Sequence, residues 1–210
     1  MQEKRYSNET VERYGLISAL LREGNHTRAD KELRLLYESP HFGTMSKKKD
    51  FHFLGDTIRI ERKTLHSSAM IETLAARVQL SVGKYDEGLK TYKTALRTYP
   101  QHRALIYEYA AALLDNGYEE KALKFISQQL QFTPNDIRLY KLQAQSYEAV
   151  GNNMLQHRAQ AEAYIRQGNI HAAISQLETA LRSKDGDFYE TSGVEARLKE
   201  LQHWLSLIEN

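Results

Sequence analysis

One pattern occurs twice in succession: residues 83–100 read GKYDEGLKTYKTALRTYP, and residues 117–134 read GYEEKALKFISQQLQFTP. Each copy begins with glycine, carries small or apolar residues at helical spacing and ends with proline. The interval from Gly83 to Gly117 equals the interval from Pro100 to Pro134, and Gly151 follows Gly117 at the same interval. Glycine suits a tight turn between two helices, and proline cannot continue a helix. The pattern therefore predicts antiparallel helix pairs that recur at this fixed interval.

A period of about 34 residues, with a glycine in the middle and a proline at the end, is typical of tetratricopeptide repeats. One helix pair cannot bury its apolar face alone, so the pairs stack into a right-handed α-solenoid with a concave groove. We therefore predict an all-α tetratricopeptide-repeat solenoid of about ten helices, with residues 1–210 as a single domain. Its central helices are expected near residues 68–82, 85–98, 102–116, 118–132 and 136–150.

A first helix pair is expected over about residues 8–40. Ser7 or Asn8 can cap its first helix, and Gly24 ends that helix. Five residues after Gly24 stands Ala29, a small residue that lets the two helices of a pair approach closely.

An insertion separates this pair from the others. The interval from Gly24 to Gly83 is longer than one repeat period, and the surplus lies within about residues 41–67. The insertion contains the charge run Lys47–Lys49 and two short β-like runs on either side of Gly55–Asp56, which suits the centre of a type II′ hairpin turn. A hairpin and an irregular loop or helix remain open as alternatives.

The repeat period changes near the C-terminus, because Gly168 follows Gly151 after only half a period. The helix of residues 153–167 is therefore expected to serve two helix pairs at once. A turn is expected at residues 183–187. The apolar stripe that follows predicts a terminal helix that caps the array; it consists of Val194, Leu198, Leu201, Leu205 and Ile208.

The composition is that of an ordinary globular protein, 41% apolar and 27% charged. A formal net charge of +2 is too small to indicate binding to nucleic acid or to an acidic membrane. The absence of cysteine excludes disulfides and a cysteine nucleophile. No apolar run reaches the roughly 20 residues that span a membrane, and residues 1–5 do not begin a signal peptide. We therefore expect either a cytoplasmic protein or a fragment of a longer one.

Residue types that carry catalysis do not occur at catalytic spacing. A helical zinc site needs two histidines four residues apart, and none of the eight histidines has such a neighbour. His157 and His171 could at most approach each other across two helices. The acidic pairs Asp86–Glu87 and Glu119–Glu120 fall at helix starts, where negative charge offsets the helix dipole. We expect no catalytic residue, no metal site and no cofactor in this chain.

The concave groove is the stronger candidate for function. Its exposed positions are expected ten and six residues before each turn glycine. These positions hold Thr73, Arg77, Tyr107, Ala111, Lys141, Gln145, Arg158 and Glu162. Basic and tyrosine side chains on one surface suit an extended peptide with acidic side chains or a C-terminal carboxylate. The alternative is a solvated face that binds nothing.

Several local patterns resemble one family. They are Glu162–Tyr164 before a glycine turn, the helix of Ala173–Leu181, the ending of Asp187–Tyr189 with Glu195–Leu201, and Arg13–Leu16 at the start. Together they resemble the C-terminal repeat region of bacterial periplasmic zinc metalloproteases of the β-barrel assembly-enhancing protease type. The resemblance covers nearly the whole chain except about residues 41–67.

The resemblance implies a function. In that family a separate protease domain holds the zinc in a His-Glu-x-x-His site, and the protein is sent to the periplasm. The repeat region contacts the protease domain and the outer-membrane β-barrel assembly machinery. This chain would then be a non-catalytic interaction scaffold, without nucleic acid as a partner. The alternative is a free-standing cytoplasmic scaffold or cochaperone that binds peptide tails. The insertion and the terminal helix could also support a homo-oligomer.

Overall fold

A computed structural model describes the backbone of residues 2–38, 50–53, 56–59 and 68–208, and the side chains of residues 10–38 and 68–207. These residues divide into two compact units, residues 1–106 and 107–210. Outside the insertion, every regular element that the structure describes is a helix.

Unit 1 contains α1 (Gln2–Arg22), α2 (His26–Glu38), β1 (Asp50–Phe53), β2 (Asp56–Arg59), α3 (Ala69–Ser81) and α4 (Tyr85–Thr98). Helix α5 (Arg103–Asp115) crosses the boundary between the units. Unit 2 contains α6 (Glu119–Phe132), α7 (Ile137–Ala149), α8 (Asn153–Arg166), α9 (Ile170–Ser183) and α10 (Phe188–Ile208). The predicted central helices are confirmed, because α3 to α7 lie at the expected residues.

The turn glycines explain why the helix ends could be predicted. Each has a φ angle between 75° and 81°, the left-handed conformation that only glycine adopts without strain; they are Gly24, Gly83, Gly117, Gly151 and Gly168. At the end of α3, the N–H of Gly83 donates to the carbonyl of Leu80, and the N–H of Lys84 donates to the carbonyl of Gln79. This pair of bonds is the Schellman arrangement, which satisfies carbonyls at a helix end.

Small residues let paired helices approach closely, as predicted. Gly88 of α4 packs on α3, where a Cβ atom would lie 2.7 Å from Leu80 Cγ. Ala29, Ala122 and Ala173 occupy the equivalent positions and are fully buried. The residues seven positions before the turn glycines are buried as well: Ile17, Ala76, Ala110, Ala144 and Ala161.

Two features of unit 1 differ from the predictions. Helix α1 begins at Gln2 rather than after a cap at Ser7 or Asn8, because Gln, Glu, Lys and Arg in residues 2–5 are good helix formers that extend it. The insertion contains an antiparallel hairpin in which Phe53 pairs with Asp56. Asp56 therefore belongs to β2 and not to the centre of the turn.

Ser68 caps α3, since its Oγ accepts a hydrogen bond from the N–H of Ile71 at 3.3 Å. The Lys47–Lys49 run lies outside the described residues.

The C-terminal end of unit 2 is arranged as the halved period predicts. Helix α8 packs against both α7 and α9. Helix α10 covers α9 with the predicted apolar stripe, in which Val194 and Leu201 are buried and Leu198 and Leu205 are partly buried. Its core is shared with α8 and α9 through Ala161 and other buried side chains.

Candidate functional site

Unit 2 contains a pocket of about 370 Å³ between α7 and α8. Its lining residues are Tyr140, Gln143, Tyr147, Leu155, Arg158, Ala159 and Glu162. On α7 these residues are three and four positions apart, and on α8 they follow the i, i+3, i+4 and i+7 pattern, so each helix contributes a single face. The volume falls in the range of about 300–1,000 Å³ that is usual for ligand pockets.

The lining is mostly polar and includes some aromatic and aliphatic surface. Ala159 is buried and Leu155 is half-buried, and the rings of Tyr140 and Tyr147 add aromatic surface from α7. The polar groups are the two phenols, the Gln143 amide, the Arg158 guanidinium and the Glu162 carboxylate. Such a lining can hold an apolar side chain and orient a neighbouring polar group.

The carboxylate of Glu162 is neutralised by two arginines. Arg166 Nη1 lies 2.5 Å from its Oε2 atom, and Arg197 Nε, from α10, lies 2.9 Å from its Oε1 atom. Burial alone would raise the pKa of Glu162, but the hydrogen bonds from Arg166 and Arg197 lower it below its ordinary value. Glu162 therefore stays ionised and structural, and its charge is not free to meet a ligand.

Arg166 also fixes Tyr140, which forms one wall of the pocket. The Arg166 guanidinium stacks over the Tyr140 ring at 4.0 Å from the ring centre. It also donates to the Tyr140 hydroxyl at 2.8 Å and to the carbonyl of Pro134 at 2.7 Å. Tyr140 is thus held in place before any ligand arrives.

Arg158 is different from the other two arginines. Its side chain is exposed, and it makes no hydrogen bond or ion pair with any residue that the structure describes. The guanidinium lies beside Gly193 of α10, where a Cβ atom would be 3.8 Å from Nη1. Burial raises the pKa of the Tyr147 phenol, the nearby positive charge of Arg158 opposes that rise, and the carboxylate of Glu190 adds to it. Arg158 is thus a cation at the pocket that remains available for an anion.

Side chains cap the N-terminus of α8, which lies beside the pocket. Asn152 Oδ1 accepts from the N–H of Leu155 at 2.9 Å. Asp185, from the turn between α9 and α10, accepts from the N–H groups of Asn153 and Met154 at 2.6 and 2.9 Å. The N–H groups of Asn153, Met154 and Leu155 have no carbonyl partner within the helix, and all three are therefore hydrogen-bonded by these side chains.

The predicted groove residues have different environments. In unit 1, Arg77 is exposed, but the prediction that Thr73 is exposed is wrong. Thr73 is only 9% exposed, and its hydroxyl donates to the carbonyl of Ala69. Ala69 and Ala76, four residues before and three residues after Thr73 on α3, are buried as well, so Thr73 lies on a buried face of that helix.

In unit 2, Arg158 and Glu162 line the pocket, whereas Lys141 and Gln145 are exposed outside it. Tyr107 is half-buried and donates a hydrogen bond to Asp136, the cap of α7.

Ala111 is also half-buried.

His157 Nδ1 lies 2.8 Å from Gln176 Oε1, which is a contact between α8 and α9. Among the described residues, no group of three His, Cys, Asp or Glu side chains is placed to hold a metal ion.

Several residues of the candidate site were not predicted from the sequence. Tyr140 and Tyr147 are seven residues apart, which places them on one helix face, and this spacing could have been noticed. Arg197 and Asp185 reach the site from 35 and 31 residues away. No local pattern indicates such contacts.

Comparison with known proteins supports the fold. Residues 79–146 match the sequence profile of the family described as Tetratricopeptide repeat. A comparison with curated proteins gave no match. No helix that the structure describes is long and apolar enough to cross a membrane.

Solved structures of similar fold share little sequence with this chain. MamA from residue 41 to its end, from Desulfovibrio magneticus RS-1, is 15% identical, with a TM-score of 0.54 over 92% of this chain and 95% of that one. A tetratricopeptide repeat protein from Parabacteroides merdae ATCC 43184 is 13% identical, with a TM-score of 0.51 over 92% of this chain and 72% of that one. The chain therefore has a tetratricopeptide-repeat fold, the fold of protein–protein interaction scaffolds.

Proposed function

We propose that this chain binds a segment of a partner protein in the pocket between α7 and α8. The observation that carries the proposal is the exposed guanidinium of Arg158, which no described residue neutralises, in a pocket that two tyrosine rings and Leu155 also line.

The pocket is built to bind without large rearrangement. Arg166 holds Tyr140, and the ion pairs of Glu162 hold α8 against α10. A preformed site loses less conformational entropy when a ligand binds than a flexible one does. The bound segment would place one apolar side chain between Tyr147 and Leu155 and continue past the mouth of the pocket.

The test is to block the pocket and measure peptide binding. A displayed library of random peptides is selected on the wild-type chain, and the enriched peptides are titrated by fluorescence anisotropy. The Gln143→Trp variant fills the pocket from α7 and is expected to lose most of this binding. Gln145→Trp places the same side chain on the same helix, outside the pocket, and is expected to bind normally. Equal binding by both variants, or no enrichment at all, would contradict the proposal.

We propose further that the chain is the repeat region of a periplasmic zinc-metalloprotease-type protein that acts in outer-membrane protein assembly quality control. Support for this placement comes from the sequence resemblance, including Asp187–Tyr189 and Glu195–Leu201. Its partners would be its own protease domain, which would hold the zinc, and the β-barrel assembly machinery. An immunoblot of fractionated source cells tests the placement. A periplasmic band roughly twice the calculated 24.3 kDa of this chain is expected, and a 24.3 kDa cytoplasmic band would contradict it.

The alternative placement is a free-standing cytoplasmic scaffold or cochaperone. In that role Lys141 would clamp the acidic tail of a chaperone, and its exposed position on α7 allows this. Lys141→Ala would then abolish binding of such a tail. Unchanged binding by that variant would rule out the clamp.

A further inference from the structure

We infer that the pocket between α7 and α8 recognises an aspartate or glutamate side chain next to an aromatic or aliphatic residue, with the carboxylate on Arg158 and Tyr189 as a second contact. This inference rests on the proposed function and adds the chemistry of the partner.

The balance of charge favours an anion. Glu162 is matched by Arg166 and Arg197, and Glu200 takes the remaining Nη1 atom of Arg197 at 2.6 Å. Arg158 is left as the cation without an ion partner among the described residues that line the pocket. A guanidinium binds a carboxylate with two parallel hydrogen bonds, which adds geometric specificity.

The start of α8 indicates which kind of carboxylate is bound. Terminal carboxylates are commonly captured by free backbone N–H groups. The N–H groups of Asn153, Met154 and Leu155 are the nearest candidates, but Asp185 and Asn152 already occupy them. Among the described lining residues, Arg158 is the cationic group that can receive the anion. A side-chain carboxylate within a continuous peptide fits this guanidinium better than a chain end, which is captured by free backbone N–H groups.

Tyr189 extends the apolar part of the site. It precedes Gly193 by four residues on α10, so both lie on one helix face, and Gly193 lies beside the Arg158 guanidinium. The Tyr189 side chain is 82% exposed, and its ring packs edge-on against Phe188 at 5.8 Å. An exposed aromatic ring on the helix face that carries Gly193 is the kind of anchor that protein interfaces bury.

The experiment compares peptides selected on three chains: wild type, Arg158→Gln and Lys141→Gln. Lys141 is an exposed cation on α7 outside the pocket, so it controls for the loss of one charge. We expect acidic residues beside aromatic or aliphatic ones among peptides selected on the wild type and on Lys141→Gln. On Arg158→Gln, the enrichment in acidic residues should disappear.

Titration of synthetic peptides with blocked ends then measures how much the acidic residue contributes to the binding affinity. Changing the selected acidic residue to its amide should weaken binding to the wild type by about fivefold, as expected for a solvent-exposed ion pair. The same change should have no effect on Arg158→Gln. Tyr189→Ala should also weaken binding, whereas Phe132→Ala, which removes a ring of similar exposure from the end of α6, should not.

Three results would overturn the inference. Enriched peptides without acidic residues would leave the proposed function intact but contradict the role of Arg158. A requirement for a free C-terminal carboxylate would exclude the side-chain carboxylate. Concentration-dependent dimerisation that is lost in both Arg158→Gln and Tyr189→Ala would identify a second copy of this chain as the occupant.

Discussion

Asp185 shows how one residue positions the site. Its carboxylate joins the turn between α9 and α10 to the start of α8, through the N–H groups of Asn153 and Met154. Burial would raise its pKa, but these backbone hydrogen bonds lower it below the ordinary value of 3.8. The aspartate therefore both caps a helix beside the pocket and fixes the beginning of the terminal helix.

We expect Asp185→Ala to lower the free energy of unfolding by about 1 kcal/mol, the usual effect of losing a helix cap. Urea denaturation at neutral pH measures this change. Asp187→Ala, which removes a carboxylate two residues away that caps α10 instead of α8, distinguishes the two caps. Amide exchange at Asn153 and Met154 should accelerate only in Asp185→Ala. Unchanged exchange there would show that Asp185 does not cap α8.

The stabilising effect of Asp185 should depend on pH in one direction. Because its pKa is lowered on folding, its contribution is present above the ordinary value of 3.8 and is lost as the pH falls toward the lowered pKa. The wild type should therefore lose stability below about pH 4 more steeply than Asp185→Asn does. Parallel curves for the two proteins would contradict this expectation.

Two glycines should respond in opposite ways to substitution by alanine. A Cβ atom on Gly186 would lie 2.2 Å from the Sδ atom of buried Met154, so Gly186→Ala should destabilise the fold by about 1–3 kcal/mol. Gly15 lies inside α1 with nothing within 4 Å of such an atom. Gly15→Ala should therefore stabilise by about 0.5–1 kcal/mol. Thermal unfolding of both variants measures the two changes in stability. Changes of the same sign would contradict the prediction.

At the scale of the elements, α10 is held by its apolar stripe and by the ion pair between Arg197 and Glu162. Val194 and Leu201 are buried against the other helices of unit 2. Arg197 bridges to Glu162 on α8 with two hydrogen bonds, at 2.9 and 3.2 Å. Because Glu162 also lines the pocket, the docking of the terminal helix and the shape of the site depend on the same ion pair.

We expect Arg197→Met to destabilise unit 2 by about 1–2 kcal/mol, since it removes charged hydrogen bonds while keeping the apolar part of the side chain. The single tryptophan, Trp204 on α10, is 49% exposed and reports on this helix by its fluorescence. Its unfolding transition should shift to lower urea concentration. Arg182→Met on α9, which loses only a bond to Thr179, should leave the transition unchanged. Equal shifts in both variants would contradict a specific stabilising role of the ion pair between Arg197 and Glu162.

At the scale of the whole molecule, each unit has a core of its own. Unit 1 buries Ile17, Leu36 and Leu74 among others, whereas unit 2 buries Leu177 and Val194 with their neighbours. In repeat proteins each repeat mainly contacts the next one, so stability is approximately the sum of local terms. That the two units form one continuous array over residues 1–210 stays a prediction.

A chain of residues 103–210, which keeps α5 whole, should therefore fold by itself. We expect a helical circular dichroism spectrum and a cooperative urea transition, because the core of unit 2 lies within these residues. Leu177→Ala in this shorter chain should cost about 2–5 kcal/mol, the usual effect of a cavity in a core. A gradual transition without a baseline would show that unit 2 depends on the rest of the protein.

The helices could be predicted from sequence because their ends depend on local chemistry. Gly83 needs only its own left-handed conformation to end α3, and Ser68 caps that helix with a bond to a residue three positions away. The site was predicted only in part. Arg158 and Glu162 were expected at it, but Tyr140 and Tyr147 line the pocket instead of Lys141 and Gln145.

The sequence by itself determined the repeat period, the bounds of the central helices α3 to α7 and the small residues such as Gly88 at the close crossings. These features follow from turn conformation, helix propensity and side-chain size, which each short stretch carries with it. The rotation of α7 about its own axis, the neutralisation of Glu162 and the cap from Asp185 were decided only by the tertiary structure. They depend on contacts between residues far apart in the chain, and those contacts form only when the helices pack together.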